Sequence, residues 1–301
     1  MRTAAACGIL VYIHTAVFGR YRHDKNIAIV SLSRGVAGEA FAQHEVEIGL
    51  KRLAGYGVNV QFMPNALRGI DYLTTHPEAR AADLLQAFRD PEVDMILCAI
   101  GGDDTYRLLP YLFDHDKLRK AVTDKIFLGF SDTTVNHMML HKVGLPTFYG
   151  QAFLPDVCEL GPAMLPYTER YFAELLRTGT IREVTPSDVW YESRTDFSPS
   201  QIGIAPAAHP DDGFQLLQGS PTFSGEILGG CIDTFYDFLM VRDMQICRSS
   251  AENTTFSPRL RTGRAKFCCW EPARSGCRQK NYRAALTHLK TPGCSAPSMA
   301  C

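Results

Sequence analysis

The 301-residue sequence has no excess of charge of either sign: thirty-one basic residues face thirty-two acidic ones, leaving a formal charge of −1 at pH 7. It also lacks a long basic run and any interleaving of aromatic with basic residues, which argues against nucleic acid as a partner. Long hydrophobic runs are missing. The apolar stretch in MRTAAACGILVYIHTAVFGRYR is interrupted by His14 and is too short to span a bilayer. One arginine precedes that stretch and no clear small-residue cleavage site follows it, so a cytoplasmic protein with no membrane attachment is expected. There is no CxxC pair, no zinc-like Cys/His spacing, no P-loop and no GxGxxG, so a structural metal and a nucleotide-binding module of those types are left without support. Cysteine is scarce in most of the chain: only Cys7, Cys98, Cys158 and Cys231 precede residue 247. That scarcity excludes a disulfide-stapled scaffold. Cys247, Cys268, Cys269, Cys277, Cys294 and Cys301 then crowd the remainder, and the abrupt change marks a tail of different composition.

What is present is a 46% hydrophobic chain long enough for two domains with real cores. From Asn26 to Gly150, strand-like runs alternate with helical patterns. NIAIVSL is followed by a helix carrying Val46, Leu50 and Leu53, then by NVQFM, then by a helix with Ala81, Leu84, Leu85 and Phe88. MILCAI, a helix from about Thr105, IFLGF, another helix and PTFYG complete the series. Continuous apolar strands separated by amphipathic helices predict an α/β fold, a parallel sheet with helices on both faces. Residues 151–212, rich in proline, aspartate and aromatics, read as a connector, and GFQLLQGSPTFSGEILGGCIDTF opens a smaller, β-rich second domain. The expected divisions are 1–22, an N-terminal extension; 23–150, the α/β domain; 151–212, the connector; and 213–301, a partial second domain.

Two strand-to-helix loops carry the chemistry. In KIFLGFSDTTVNHMMLHK, a strand runs into Ser131-Asp132-Thr133-Thr134 and a helix follows, with Val135, Met138, Met139 and Val143 at helical intervals. Ser131 at that junction suits either a helix cap or a nucleophile on a sharp turn beside unpaired N–H groups. In AIGGDDTYRLLPYL, the pair Gly101-Gly102 suits either a tight turn capped by Asp103 or Asp104, or a backbone that approaches a ligand closely. If their strands are adjacent, the two loops are neighbours at the strand carboxyl ends, where such folds bind ligands. His137 and His141 have the spacing of a helical metal pair, but no third ligand is evident and no metal is expected.

Taken together, KNIAIVSLSRG, PEARAADLLQAFRDPEVDMILCAIGGDDTYRLLPYL, KIFLGFSDTT, GLPTFYG and, more loosely, GFQLLQGSPTFSGEILGGCID resemble the serine peptidase family of L,D-carboxypeptidases and the microcin C immunity protein. The GGDD form of the first loop is closer to the immunity-protein branch. The resemblance implies that Ser131 is the nucleophile, that the backbone N–H groups of Gly102 and Asp132 form the oxyanion hole, and that Asp103 and Asp104 contact substrate. It implies a peptide or a peptidyl-nucleotide conjugate as substrate, no cofactor, and a homodimer.

The family also uses a histidine oriented by a glutamate. The glutamate matches Glu271, after the strand-like run AKFCCW. His288 is the sole histidine beyond it and falls in NYRAALTHLK, a segment resembling a family helix, so the catalytic histidine is not found. Together with the cysteine-rich tail, this leads to the expectation of a C-terminal truncation and impaired hydrolysis. The alternative is an inactive homologue that at most binds peptide.

Overall fold

Five of the apolar runs form one parallel sheet in the computed structural model, which describes residues 26–216 and 226–234, short strands at 11–12 and 265–269, and the single positions Gly219 and Thr222. In chain order the first strands are β1 (Val11–Tyr12), β2 (Asn26–Val30), β3 (Asn59–Phe62), β4 (Met95–Cys98), β5 (Ile126–Gly129) and β6 (Phe148–Tyr149). The sheet has the order β3-β2-β4-β5-β6, and every pairing in it is parallel. Parallel neighbours need long crossovers, and helices supply them: α1 (Gln43–Gly55), α2 (Gly69–Thr75), α3 (Pro77–Arg89), α4 (Leu109–Phe113), α5 (Lys117–Ala121) and α6 (Thr134–Val143). After β2 the chain moves to one side of the sheet, and from β4 onward it moves to the other. The loops leaving β2 and β4 therefore diverge and open a crevice at the strand carboxyl ends.

In β2 from Ile27, β4 and β5 the runs are continuously apolar because both faces are covered, whereas the edge strand β3 exposes Asn59 and Gln61. Ala28, Val30, Ile96, Cys98 and Phe127 point into a core built with Leu84 and Phe88 of α3, Leu112 of α4, Leu118 of α5 and Met139 of α6. Their alternating neighbours Ile27, Ile29, Met95, Leu97, Ile126 and Leu128 enter a second core with Val46 and Leu53 of α1. Period-two side chains thus feed two cores from one strand. Phe127 and Phe88 are wholly buried, and burial of each such side chain contributes about 1.5–3 kcal/mol.

The second core also takes Phe153, Leu154 and Val157 from a π-helical turn (Phe153–Val157), and Phe172, Leu175 and Leu176 from α7 (Pro166–Thr178). Much of the stretch read as a connector is therefore built onto the sheet. Pro166 stands in the first turn of α7, a position that favours a helix start, and Tyr171, Phe172, Leu175 and Leu176 follow at helical spacing. Beyond it, β7 (Glu183–Val184) pairs with β1, and β8 (Val189–Tyr191) pairs with β9 (Ala208–Pro210), both antiparallel. Finally, β10 (Glu226–Gly230) and β11 (Ala265–Cys269) pair in parallel. Most of the expected N-terminal extension and second domain, including Glu271, His288 and most of the tail cysteines, lies outside the described residues. Among the described residues, no helix is long and apolar enough to cross a membrane.

Candidate active site

β5 ends at Gly129, and after Phe130 the chain enters a single 3-10 turn (Ser131–Thr133) that leads directly into α6. Ser131 has a φ of 62°, in the left-handed region. For a residue with a Cβ that conformation costs about 1–2 kcal/mol, so the surroundings must hold it. They do so on both sides. The Ser131 backbone N–H donates to the Tyr149 hydroxyl at 2.9 Å, and the Thr134 hydroxyl donates to the Ser131 carbonyl at 2.6 Å. The Thr134 oxygen in turn accepts the Cys231 N–H at 2.9 Å, which ties the residue after β10 to the same turn. Among the described hydrogen bonds, none is a side-chain cap on this turn or on α6. Ser131 is the strained point of a sharp strand-to-helix turn, and its side chain does not serve as a cap.

The glycine loop after β4 lies against it. A Cβ added to Gly101 would stand 2.9 Å from the Ser131 Cβ and 3.1 Å from its Oγ. One added to Gly102 would stand 2.2 Å from the Ser33 Oγ and 2.9 Å from the Arg34 nitrogen. Both positions need glycine for close approach. The two chemically loaded loops are neighbours because their strands, β4 and β5, are neighbours.

Asp132 is buried, and its Oδ2 accepts the Ser33 hydroxyl at 2.5 Å and the Thr105 N–H at 2.9 Å. Burial pushes its carboxyl pKa up, the two hydrogen bonds oppose that shift, and the nearby charges of Asp104 and Asp103 add to it. The acidic pair itself divides. Asp104 holds the guanidinium of fully buried Arg80 at 2.7 and 3.1 Å, with Arg107 at 3.2 Å. Arg80 also donates to the carbonyls of Leu32 and Ser33, both at 3.2 Å, so it locks the loop after β2 to the loop after β4. Asp103 pairs with Arg34 at 2.8 Å, and its side chain is 59% exposed against 27% for Asp104.

The two histidines of α6 occupy different environments. His137 is buried, its Nε2 at 3.0 Å from the Gly129 carbonyl and its Nδ1 at 2.7 Å from the Thr147 hydroxyl, while His141 is exposed. Because a carbonyl only accepts, the His137 proton sits on Nε2. The pair does not converge on one point. Among the described residues, no histidine is hydrogen-bonded to Ser131: His44 meets the Phe197 carbonyl, His76 meets Tyr72 and Thr75, and His209 meets Glu192.

Ser33, Arg80, Thr134 and Tyr149 escaped the sequence reading. Only Arg80 left a signal there, since it shares a helical face with Leu84 and Ala87, where Asp83 is the other buried charge.

A family model for the LD-carboxypeptidase N-terminal domain matches residues 27–150. A crystal structure of an MccF-like protein from Streptococcus pneumoniae in complex with AMP is 50% identical, with a TM-score of 0.82 over 89% of this chain and 78% of that one. The chain belongs to the LD-carboxypeptidase family. The putative carboxypeptidase YocD of Bacillus subtilis is 34% identical over 194 residues, 64% of this chain and 55% of YocD. The murein tetrapeptide carboxypeptidase of Pseudomonas aeruginosa is 29% identical over 127 residues, 42% of this chain and 39% of that enzyme. The chain spans about half the length of the curated relatives it matches. The family match covers both loaded loops of the crevice, GGDD and SDTT, within residues 27–150.

Proposed function

We propose that the protein is a cytoplasmic serine-type hydrolase that cleaves an amide bond in a peptidyl-nucleotide conjugate or a peptidoglycan-derived peptide. The observation that carries this reading is Ser131, held at positive φ on a strand-to-helix turn with Gly101 against its side chain. In the proposed reaction, Ser131 Oγ gives its proton to a base and attacks the carbonyl carbon. The oxyanion is held by the N–H groups of Gly102 and Asp132, with the α6 dipole favouring the negative charge. The C–N bond then breaks, the proton passes to the leaving amine, and water cleaves the acyl ester to release the acid. Asp103, exposed beside Arg34, contacts substrate, while Asp104 acts on the same side through its ion pair with Arg80. The AMP complex of the Streptococcus pneumoniae relative favours a nucleotide-bearing substrate, and the murein tetrapeptide relative favours a peptide.

The base comes from outside the described residues. Glu271 is the candidate to orient it. It follows β11, which runs parallel to β10, and the residue after β10 reaches Thr134 beside the nucleophile. His288, the sole histidine after Glu271, falls in a segment resembling a family helix, so the 301-residue chain is expected to turn over slowly, orders of magnitude below ordinary enzyme rates. The same observation favours a second reading, a homologue that binds peptide without hydrolysing it.

Release of a terminal amino acid from a tetrapeptide and cleavage of a peptidyl-nucleotide analogue test both readings, alongside labelling by a fluorophosphonate probe. Labelling and slow turnover that both vanish in Ser131→Ala support the hydrolase. Binding with neither labelling nor turnover supports the second reading. Ordinary turnover rates abolished by Ser131→Ala overturn the expectation of impairment. Light scattering of the same preparation tests the proposed homodimer.

A further inference from the structure

We propose that Ser33 is a positioning residue for the oxyanion hole, its hydroxyl setting the spacing between the Gly102 and Asp132 N–H groups. The inference rests on the serine-hydrolase reading above and deepens it. Ser33 lies in the loop after β2, and only 2% of its surface is exposed. Its hydroxyl donates to Asp132 Oδ2 at 2.5 Å, and the same oxygen accepts the Thr105 N–H at 2.9 Å. One buried carboxylate oxygen therefore gathers the three loops that leave β2, β4 and β5.

The same hydroxyl also lies against Gly102, where an added Cβ would come within 2.2 Å of the Ser33 Oγ. Ser33 thus touches both residues whose N–H groups form the proposed hole. Its own carbonyl is fixed by Arg80 at 3.2 Å, so Ser33 is anchored to the core. An oxyanion hole stabilises developing charge only when its donors are set in place before the reaction, within a few tenths of an ångström. None of the described hydrogen bonds of Ser33 reaches Ser131, which makes Ser33 a positioning group rather than a catalytic one.

A peptidyl boronic acid separates this role from a merely structural one, because its tetrahedral adduct on Ser131 uses the hole, whereas the same peptide with hydrogen in place of the boronic acid group has no oxygen to put there. The affinities of both ligands are measured on the full 301-residue chain. Ser33→Ala is expected to weaken the boronate at least about tenfold and to change the peptide without boron less than about twofold. Asp132→Ala is expected to do the same, and the double variant to lose no more than the larger single loss, as for two ends of one interaction. Asp132→Asn, which keeps an acceptor oxygen for both donors, is expected to retain the wild-type ratio of affinities. Equal weakening of both ligands by Ser33→Ala, no weakening, or fully additive losses would each overturn the proposal. Should Ser33→Ala not fold, loss of the ratio in Asp132→Asn overturns it instead. A boronate affinity untouched by Ser131→Ala overturns the serine-hydrolase reading itself, and this inference with it.

Discussion

The backbone N–H of Ser131 is held by the hydroxyl of Tyr149, 2.9 Å away on the neighbouring strand. Tyr149 stands beside Gly129 in the β5–β6 register, and its ring packs at 5.3 Å from His137. The phenol oxygen thus holds the N–H of the strained residue and also lies 3.4 Å from the Thr134 hydroxyl. Replacing Tyr149 by Phe removes only that oxygen. The expected cost is about 1–2 kcal/mol of stability, since the contacts to Ser131 and Thr134 are both lost, with a larger proportional change in kcat than in KM. Urea unfolding and steady-state kinetics on the variant check this. A change in KM alone would show that Tyr149 contacts substrate and does not brace the turn.

The two aspartates of the GGDD loop are expected to behave oppositely. Asp104→Ala leaves the guanidinium of Arg80 buried without its counter-charge, and loss of one partner of such a pair typically costs about 3 kcal/mol. Asp103→Ala breaks an exposed pair with Arg34 and is expected to change stability by less than about 0.5 kcal/mol. Its effect falls on KM. Equilibrium denaturation of the two variants, compared with substrate titrations, separates the loop-holding carboxylate from the one proposed to contact substrate. Similar stability losses for both would remove the distinction.

A third expectation concerns pH. Burial pushes the His137 imidazole down from an ordinary value of 6.5 to about 4, with the bond to the Gly129 carbonyl opposing the shift. The unfolded chain therefore takes up this proton first as the pH falls. Stability from His137 is complete above pH 6.5 and is lost progressively toward pH 4, by roughly 3 kcal/mol in all. Unfolding free energies measured across that interval should fall less steeply in His137→Gln than in the wild type. Parallel curves would assign the acid sensitivity to other groups.

The order of the five strands from Asn26 to Gly150, the parallel class of the sheet and the two loaded loops were legible in the sequence, whereas α2 was not and the one helix expected from about Thr105 is two short ones, α4 and α5. Each legible feature is encoded locally. A buried strand needs a short apolar run, a crossover helix repeats its apolar residues every three or four positions, and a close backbone approach needs glycine. The period of α7 is equally local, with Pro166 at its start and Tyr171, Phe172, Leu175 and Leu176 on one face, but it sits in a stretch whose proline, aspartate and aromatic content reads as a connector.

The arrangement of the site was decided by the tertiary structure. Whether Ser131 capped a helix or stood at a strained turn depended on Tyr149, which reaches it only because β6 pairs with β5. Ser33 and Asp132 are 99 positions apart and meet through the order β2-β4-β5. Arg80 reads locally as one charge on an amphipathic helix, and it becomes a buried clamp only when α3 lies across the loops after β2 and β4. Periodicity and turn chemistry act over a few residues and fix the elements. The hydrogen bonds that hold Ser131 and its neighbours act across strands, and their partners exist only once the sheet has chosen its order.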